Sequence, residues 1–435
     1  MENTRPTRTQ SQPGDKIIRF TNCLTPIDNK LLPSTIYVNS TTGLIISPQD
    51  LFYDSKLSAS STVDLGGRIL VPGFIDVQIN GAYGFDFSDA SKDDDAYAAG
   101  LRDVNQRLVS TGVTSYCPTI TSQKNAVYKM ALPHLGPSKR DASLGCSSLG
   151  GHVEGPFLNP ERNGIHPLHV LQTPKDGLKS LETVYGKDNM NQNIKMITLA
   201  PELLPPAALP SLSSILASKN IILSAGHSTA TFSQLVSSNI NMVTHLFNAM
   251  HQPHQREPGI PGAVLADVSK PRYFGIIADG VHVHPANIRW AWQSNPTGLC
   301  LVTDAMSLLG LPDGEYEWGN GESIIKTGGL LTLKGTNKIA GSCVTLAECL
   351  NNFMRFTGIG IAEAVKTVTA TPARMLGLEG VKGGLGVGAD ADLCVLDMQS
   401  DGSVVVDEVW KFGQKVWEKE RVRARRPGVV ELSRL

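Results

Sequence analysis

Eight short, nearly continuous apolar runs separated by helix-like stretches constrain this chain more than any other feature. They are Gly73–Asn80, Val113–Pro118, Leu149–Gly155, Ile194–Ala200, Ile221–His227, Asn241–His245, Tyr273–Asp279 and Leu299–Asp304. A strand with one wet face alternates polar and apolar residues, whereas a strand apolar throughout is buried on both faces. The latter is the mark of a parallel sheet covered by helices. Eight such units over roughly 310 residues predict a closed (β/α)8 barrel of the TIM type rather than an open sheet.

The flanks keep another rhythm. Ile17–Phe20, Ser34–Val38, Gly43–Ser47 and Arg68–Val71 are short β-rich pieces punctuated by Asn, Pro, Gly and Asp. Beyond the Gly/Asp-rich stretch Gly383–Asp392, similar pieces recur at Leu393–Leu396, Ser403–Val406 and Gln414–Trp417. The expected architecture is α/β. Residues 1–71 and 383–435 form a small β-sandwich domain from both chain ends, and residues 72–382 form the barrel inserted in it. At 435 residues the chain exceeds what one hydrophobic core sustains, in line with two domains. The first 15 or so residues read as a loose polar tail.

Lys and Arg number 39 against 40 Asp and Glu, so no global basic field points to nucleic acid or to a membrane surface. No apolar run reaches the roughly 18 residues of a transmembrane helix. Seven scattered cysteines without a CxxC pair do not read as a secreted disulfide framework. The opening residues lack the apolar stretch of a signal peptide, and a cytoplasmic location is expected. The terminal Ser433-Arg434-Leu435 offers a peroxisomal alternative.

Glu154, His227, His245, Asp279 and Asp304 each stand at the end of an apolar run. In a barrel the strand C-termini face the loops that build active sites. One such residue alone would read as a helix cap or a hydrogen-bonded core group; five on separate strands converge on one mouth. Glu154, His227 and His245 are the expected metal ligands, because Gly226-His227 and Thr244-His245 end consecutive strands and can meet. One carboxylate and two imidazoles suit a single divalent ion, zinc or another first-row metal, with a position left for water. Such an ion brings the pKa of its water to about 7. Asp304 fits a general base that takes a proton and returns it to a leaving amine. His282 and His284 read as substrate-positioning groups, His166 as a pocket-lining one, and His251 and His254 as solvated loop residues.

Several of these strings together resemble one family. His152–Phe157, Ser224–Ser228, Thr244–Met250, Arg256–Gly259, Gly275–His282 and Leu301–Ala305 are similar, in order, to the motifs of the N-acetylglucosamine-6-phosphate deacetylases of the amidohydrolase superfamily. The resemblance runs from about Val71 to Arg374. It implies metal-dependent hydrolysis of the acetamide of N-acetylglucosamine 6-phosphate to glucosamine 6-phosphate and acetate, in amino-sugar catabolism. In that reaction a hydroxide generated on the ion attacks the carbonyl while Asp304 serves as base and then acid.

The resemblance also implies sugar-phosphate contacts from Asn248, Ala249 and Arg256, the arginine reaching across a homodimer. It implies further substrate contacts from Ile165, His282 and the loop Ile339-Ala340-Gly341-Ser342. The superfamily's first-strand His-x-His is replaced here by Gln78-Ile-Asn80. An amide is a poor transition-metal ligand, so one ion is expected. The polar loop 136–149 carries no functional reading. Competing readings are another amidohydrolase reaction, such as cyclic-amide hydrolysis or base deamination, and a non-catalytic scaffold on a decayed barrel.

Overall fold

The computed structural model describes residues 11–12, 14–54, 57–205, 207–266, 272–318, 322–336 and 339–420. The terminal Ser433-Arg434-Leu435 and most of the expected polar tail lie outside these residues.

The eight apolar runs form the eight parallel strands of a barrel: Phe74–Ile79, Val113–Ile120, Gly151–Glu154, Ile194–Leu199, Ile222–Ala225, Met242–Val243, Tyr273–Ile277 and Leu299–Val302. Each pairs in parallel with the next. The ring closes just beyond the first and last strands. There the Asp304 N–H donates to the Gln78 carbonyl (2.8 Å) and the Asn80 N–H to the Ala305 carbonyl (2.7 Å). All residues of the first, second and fourth strands are buried, as two-sided burial requires. Ile75, Val77, Cys117, Met196, Met242, Ile277, Cys300 and Val302 fill the interior. The helix Ala370–Met375 contributes Ala373 and Met375 to the same cluster and closes the end where the strands begin. The barrel axis is thus plugged at that end, and the expected site residues lie at the other, where the strands finish.

Both chain ends join one eight-stranded sheet. Its order is Gln414–Glu418, Val404–Lys411, Leu393–Met398, Ile69–Pro72, Ile17–Ile27, Lys30–Asn39, Leu44–Ile46, with Ser61–Asp64 beside Ile17–Ile27. The hairpin between Ile17–Ile27 and Lys30–Asn39 turns on Asp28 and Asn29. Both take positive φ (47° and 61°), as a two-residue turn that matches strand twist demands. Phe20, Val38, Ile45, Leu70, Leu393 and Trp410 share its apolar core.

The loop 136–149 ties the two sheets together. Arg140 pairs with Asp390 (2.6 Å), donates to the carbonyls of Thr42 and Gly43, and lies 4.2 Å over the Phe412 ring. Beside it, Lys382 and the wholly buried Lys411 both reach Asp392 at 2.7 Å.

One element of the fold is not foreshadowed by the apolar pattern of the sequence. Gly314–Trp318, Glu322–Thr327, Leu330–Leu333 and Ile339–Ser342 form a four-stranded antiparallel sheet. A parallel bridge from Ala305 to Ser342 attaches it to the end of the last barrel strand. Residues 339–342, expected as a loop, are therefore a strand at the barrel mouth. No helix among the described residues is long and apolar enough to cross a membrane.

Candidate active site

Glu154, His227, His245 and Asp304 each sit at, or just past, the end of a strand, and the backbone there is unusual. His227, His245 and Asp304 adopt positive φ (48°, 31° and 47°), as do Phe247 and Ala249 (77° and 50°). Non-glycine residues held there carry a cost of roughly 1–3 kcal/mol each, which persists only where the surroundings impose it. The bend turns the side chains inward over the barrel axis. After Glu154 the chain turns sharply at Gly155 (φ 86°), where a Cβ would fall 2.2 Å from Ser122 Oγ, so only glycine fits.

Three lone-pair donors converge. His245 Nε2 lies 2.8 Å from Glu154 Oε1, His227 Nε2 lies 3.3 Å from the same oxygen, and the two Nε2 atoms are 3.1 Å apart. Donors aimed at one point repel one another unless a proton or a cation sits among them. The titration of the group reflects this. Burial pushes Glu154 up, but hydrogen bonds from His227 and His245 outweigh it and hold the carboxyl well below its ordinary range. Burial lowers His245, yet Glu154 carries it up to about 8. Carboxylate and imidazole in this arrangement fit a divalent metal ion.

His166 also approaches. Its ligand atoms lie within 4.8 Å of those of Glu154 and His227, and its ring stands 4.5 Å from that of His227. The main chain separates the roles of these two histidines. His227 Nδ1 donates to the Arg162 carbonyl (2.7 Å), so its Nε2 lone pair is free for an ion. His166 Nδ1 instead accepts the Ser122 N–H (3.1 Å), which puts the proton on Nε2. Burial, then the nearby His227, lowers its pKa to about 3. His166 thus presents an N–H rather than a lone pair, which leaves Glu154, His227 and His245 as the groups that could hold an ion together.

Asp304 faces this cluster. Asn80 Nδ2 donates to its Oδ1 (2.7 Å), and Gln78 Nε2 reaches Asp304 Oδ1 (3.1 Å) and both Glu154 oxygens (3.2 and 3.3 Å). Gln78 therefore turns its N–H toward the site and acts as a bridge between two buried carboxylates. Burial first, and the Glu154 charge second, raise Asp304 to about 6, where a carboxyl can exchange protons near neutral pH. Beneath the cluster His152 is fully buried, held by the Val77 carbonyl (3.2 Å) and Thr198 Oγ1 (2.7 Å).

A cavity of about 190 Å3 covers these groups. Of the residues expected from the sequence, Glu154, Ile165, His166, His227, His245, Asn248, Ala249, His282, Asp304, Ile339 and Gly341 line it. Asp279 holds His282 in place, with its Oδ2 2.6 Å from Nδ1 and its Oδ1 accepting the N–H groups of Val281 and His282. Three expected residues stand elsewhere. Ala340 is buried and does not line the cavity, since alternate residues of the strand Ile339–Ser342 face opposite ways. Arg256 is exposed on the loop after Met250 and contributes nothing to this chain's own cavity. His284 caps the helix Pro285–Ser294, accepting the Ala286 N–H at 3.1 Å, instead of positioning a ligand. His251 and His254 stay in the exposed loop.

Gln78, Asn80, Thr121, Ile277 and Met306 belong to the site without having been assigned a role there. Glu202 was missed as well. Its carboxylate holds the loop behind His227 through Ser228 Oγ (2.5 Å) and the Thr229 N–H (2.6 Å).

Comparison with known proteins adds to this geometry. Residues 69–416 match the amidohydrolase family. The N-acetylglucosamine-6-phosphate deacetylase of Homo sapiens is 38% identical over 422 residues, covering 95% of this chain and 99% of that protein. That of Danio rerio is 39% identical over 416 residues, covering 93% and 97%. Among solved structures, the Mycobacterium smegmatis deacetylase in complex with N-acetyl-D-glucosamine-6-phosphate aligns with a TM-score of 0.73 at 28% identity, covering 92% of this chain and 99% of the other. The Pasteurella multocida deacetylase aligns with a TM-score of 0.75 at 27% identity, covering 92% and 99%.

Proposed function

The chain belongs to the amidohydrolase family, among its N-acetylglucosamine-6-phosphate deacetylases, and from that premise we propose that it hydrolyses N-acetylglucosamine 6-phosphate to glucosamine 6-phosphate and acetate. The observation that carries the reading is the meeting of Glu154, His227 and His245 within 3.3 Å of one another, under a cavity that Asp304 shares. Glu154, His227 and His245 hold one divalent ion, with zinc the best match to the mixed N/O set. When bound, the ion acts as a Lewis acid and makes its water acidic near neutral pH.

The chain's own groups divide the rest of the work. Asp304, raised by burial and by Glu154, accepts the proton of the attacking water and later delivers it to the departing amine nitrogen. Asn80 and Gln78 fix the Asp304 carboxyl toward the cluster. His166, neutral with its proton on Nε2, donates to the acetamide oxygen as negative charge develops there. His282, steadied by Asp279, Asn248 and Ala249 position the sugar phosphate, and Ile165, Ile339 and Gly341 line its cavity. Arg256 meets the phosphate from the neighbouring subunit of a homodimer, a task suited to a guanidinium.

Assay of the purified chain tests the reading. Acetate and free amine should appear in equal amounts from N-acetylglucosamine 6-phosphate, much faster than from the unphosphorylated sugar. A chelator should stop the reaction and zinc restore it. A metal-replete chain that releases no acetate would overturn it.

A further inference from the structure

At the end of the barrel opposite the catalytic mouth, a cavity of about 410 Å3 lies between the strand beginnings, the loop 136–149 and the terminal sheet. Its walls carry five cations, Lys139, Arg140, Lys195, Lys219 and Lys382, and among the described residues one carboxylate, Asp390. Asp390 is already engaged by both Arg140 and Lys382. Among the described residues no carboxylate lies within ion-pair distance of Lys139, Lys195 or Lys219.

Lys195 is the telling member. It is 6% exposed and, among the described residues, holds only the Asn220 side-chain and main-chain oxygens, at 2.8 and 3.3 Å. An ammonium has three N–H donors, and one remains. Burying a cation without a counter-charge is costly, and burial correspondingly lowers the pKa of Lys195. Among the described residues Lys219 likewise meets only a neutral amide, Asn191 Oδ1 at 2.6 Å. An anion entering the cavity would meet three cations that no carboxylate among the described residues pairs.

We propose that this cavity is a second, non-catalytic binding site for a multiply charged oxyanion of the phosphate-ester class. Lys195 is its inner cation, and Lys219 and Lys139 stand at its rim. The volume admits a molecule of sugar-phosphate size, and an occupant would touch barrel and terminal sheet together through Arg140 and Lys382.

Calorimetric titration of the full-length, metal-loaded chain with pyrophosphate tests this. Saturable binding that weakens as salt is added is expected. Lys195→Met and Lys219→Met should each raise the dissociation constant at least tenfold, while kcat/KM for acetate release stays within twofold of the parent. If Lys195→Met fails to fold, Lys139→Ala with Lys219→Ala, both toward solvent, should weaken binding by the same order. Binding that survives these substitutions, or no saturable binding at millimolar pyrophosphate, would overturn the proposal.

Discussion

His166 and His227 meet edge to face, with ring centroids 4.5 Å apart, and the main chain fixes them in opposite tautomers. The Arg162 carbonyl takes the proton of His227 Nδ1, and the Ser122 N–H occupies the lone pair of His166 Nδ1. Two adjacent imidazoles thereby present a lone pair and an N–H to the same cavity. His227→Ala should weaken metal binding by at least the 10–100-fold that loss of an outer-sphere partner costs. His166→Ala should keep the metal and lose on the order of 10²–10³ in kcat. Metal analysis beside steady-state kinetics separates them; equal metal loss in both variants would contradict the tautomer assignment.

Asp304→Asn should bind metal normally and lose about 10²–10⁴ in turnover, the range for removing a positioned acid–base group. Its melting temperature should not fall. Asparagine tolerates the left-handed backbone at this position (φ 47°) and can accept from Asn80. Near-normal turnover would remove Asp304 from the chemistry.

Gln78→Met tests the amide bridge. It leaves the Glu154 and Asp304 carboxylates without their shared donor, and the metal-free chain should lose about 1–3 kcal/mol in urea unfolding. An unchanged midpoint would show that the bridge is immaterial.

The Asp392 cluster predicts an acid limb of stability. Burial raises the Asp392 carboxyl, but Lys382 and Lys411 outweigh burial and hold it far below its ordinary 3.8. A depressed folded pKa gives stability that is whole above about pH 4 and drains away as pH falls below it. Asp392→Asn should flatten that limb. At pH 7 it should cost roughly 3–5 kcal/mol, because Lys411 is left wholly buried and uncompensated. Unfolding curves at pH 3, 5 and 7 measure both.

The exposed Arg256 predicts complementation. Mixed before refolding, the two variants Asp304→Asn and Arg256→Ala should regain about a quarter of parental activity if arginine and carboxylate come from different subunits. Rescue to that level marks a shared site, and none marks a site complete in one chain.

Much of this was legible in the sequence because parallel strands leave a double signature, apolar throughout and ending in a chemical group. All eight barrel strands and the residues at their ends follow from it. What escaped depends on partners far apart in the chain. Gln78 and Asn80 read only as a missing His-x-His. Their hold on Asp304, over 220 residues away, exists because the first and last strands close a ring. The left-handed backbone at His227 and His245 has no glycine to announce it. The four-stranded sheet at 314–342 was missed because its strands are four to six residues long and mix exposed with buried positions. Arg140 looked like part of a polar loop because its partners, Asp390 and Phe412, lie some 250 residues on.

The strand Ile69–Pro72 has neighbours on both sides in the terminal sheet, Ile17–Ile27 made before it and Leu393–Met398 made long after. A ribosome adding about 5–20 residues per second takes on the order of 15–60 s to travel from one to the other. Throughout that interval the nascent chain shows the cell an unfinished, hydrogen-bond-hungry edge. This part of the molecule therefore reaches completion only after nearly all the rest has been translated.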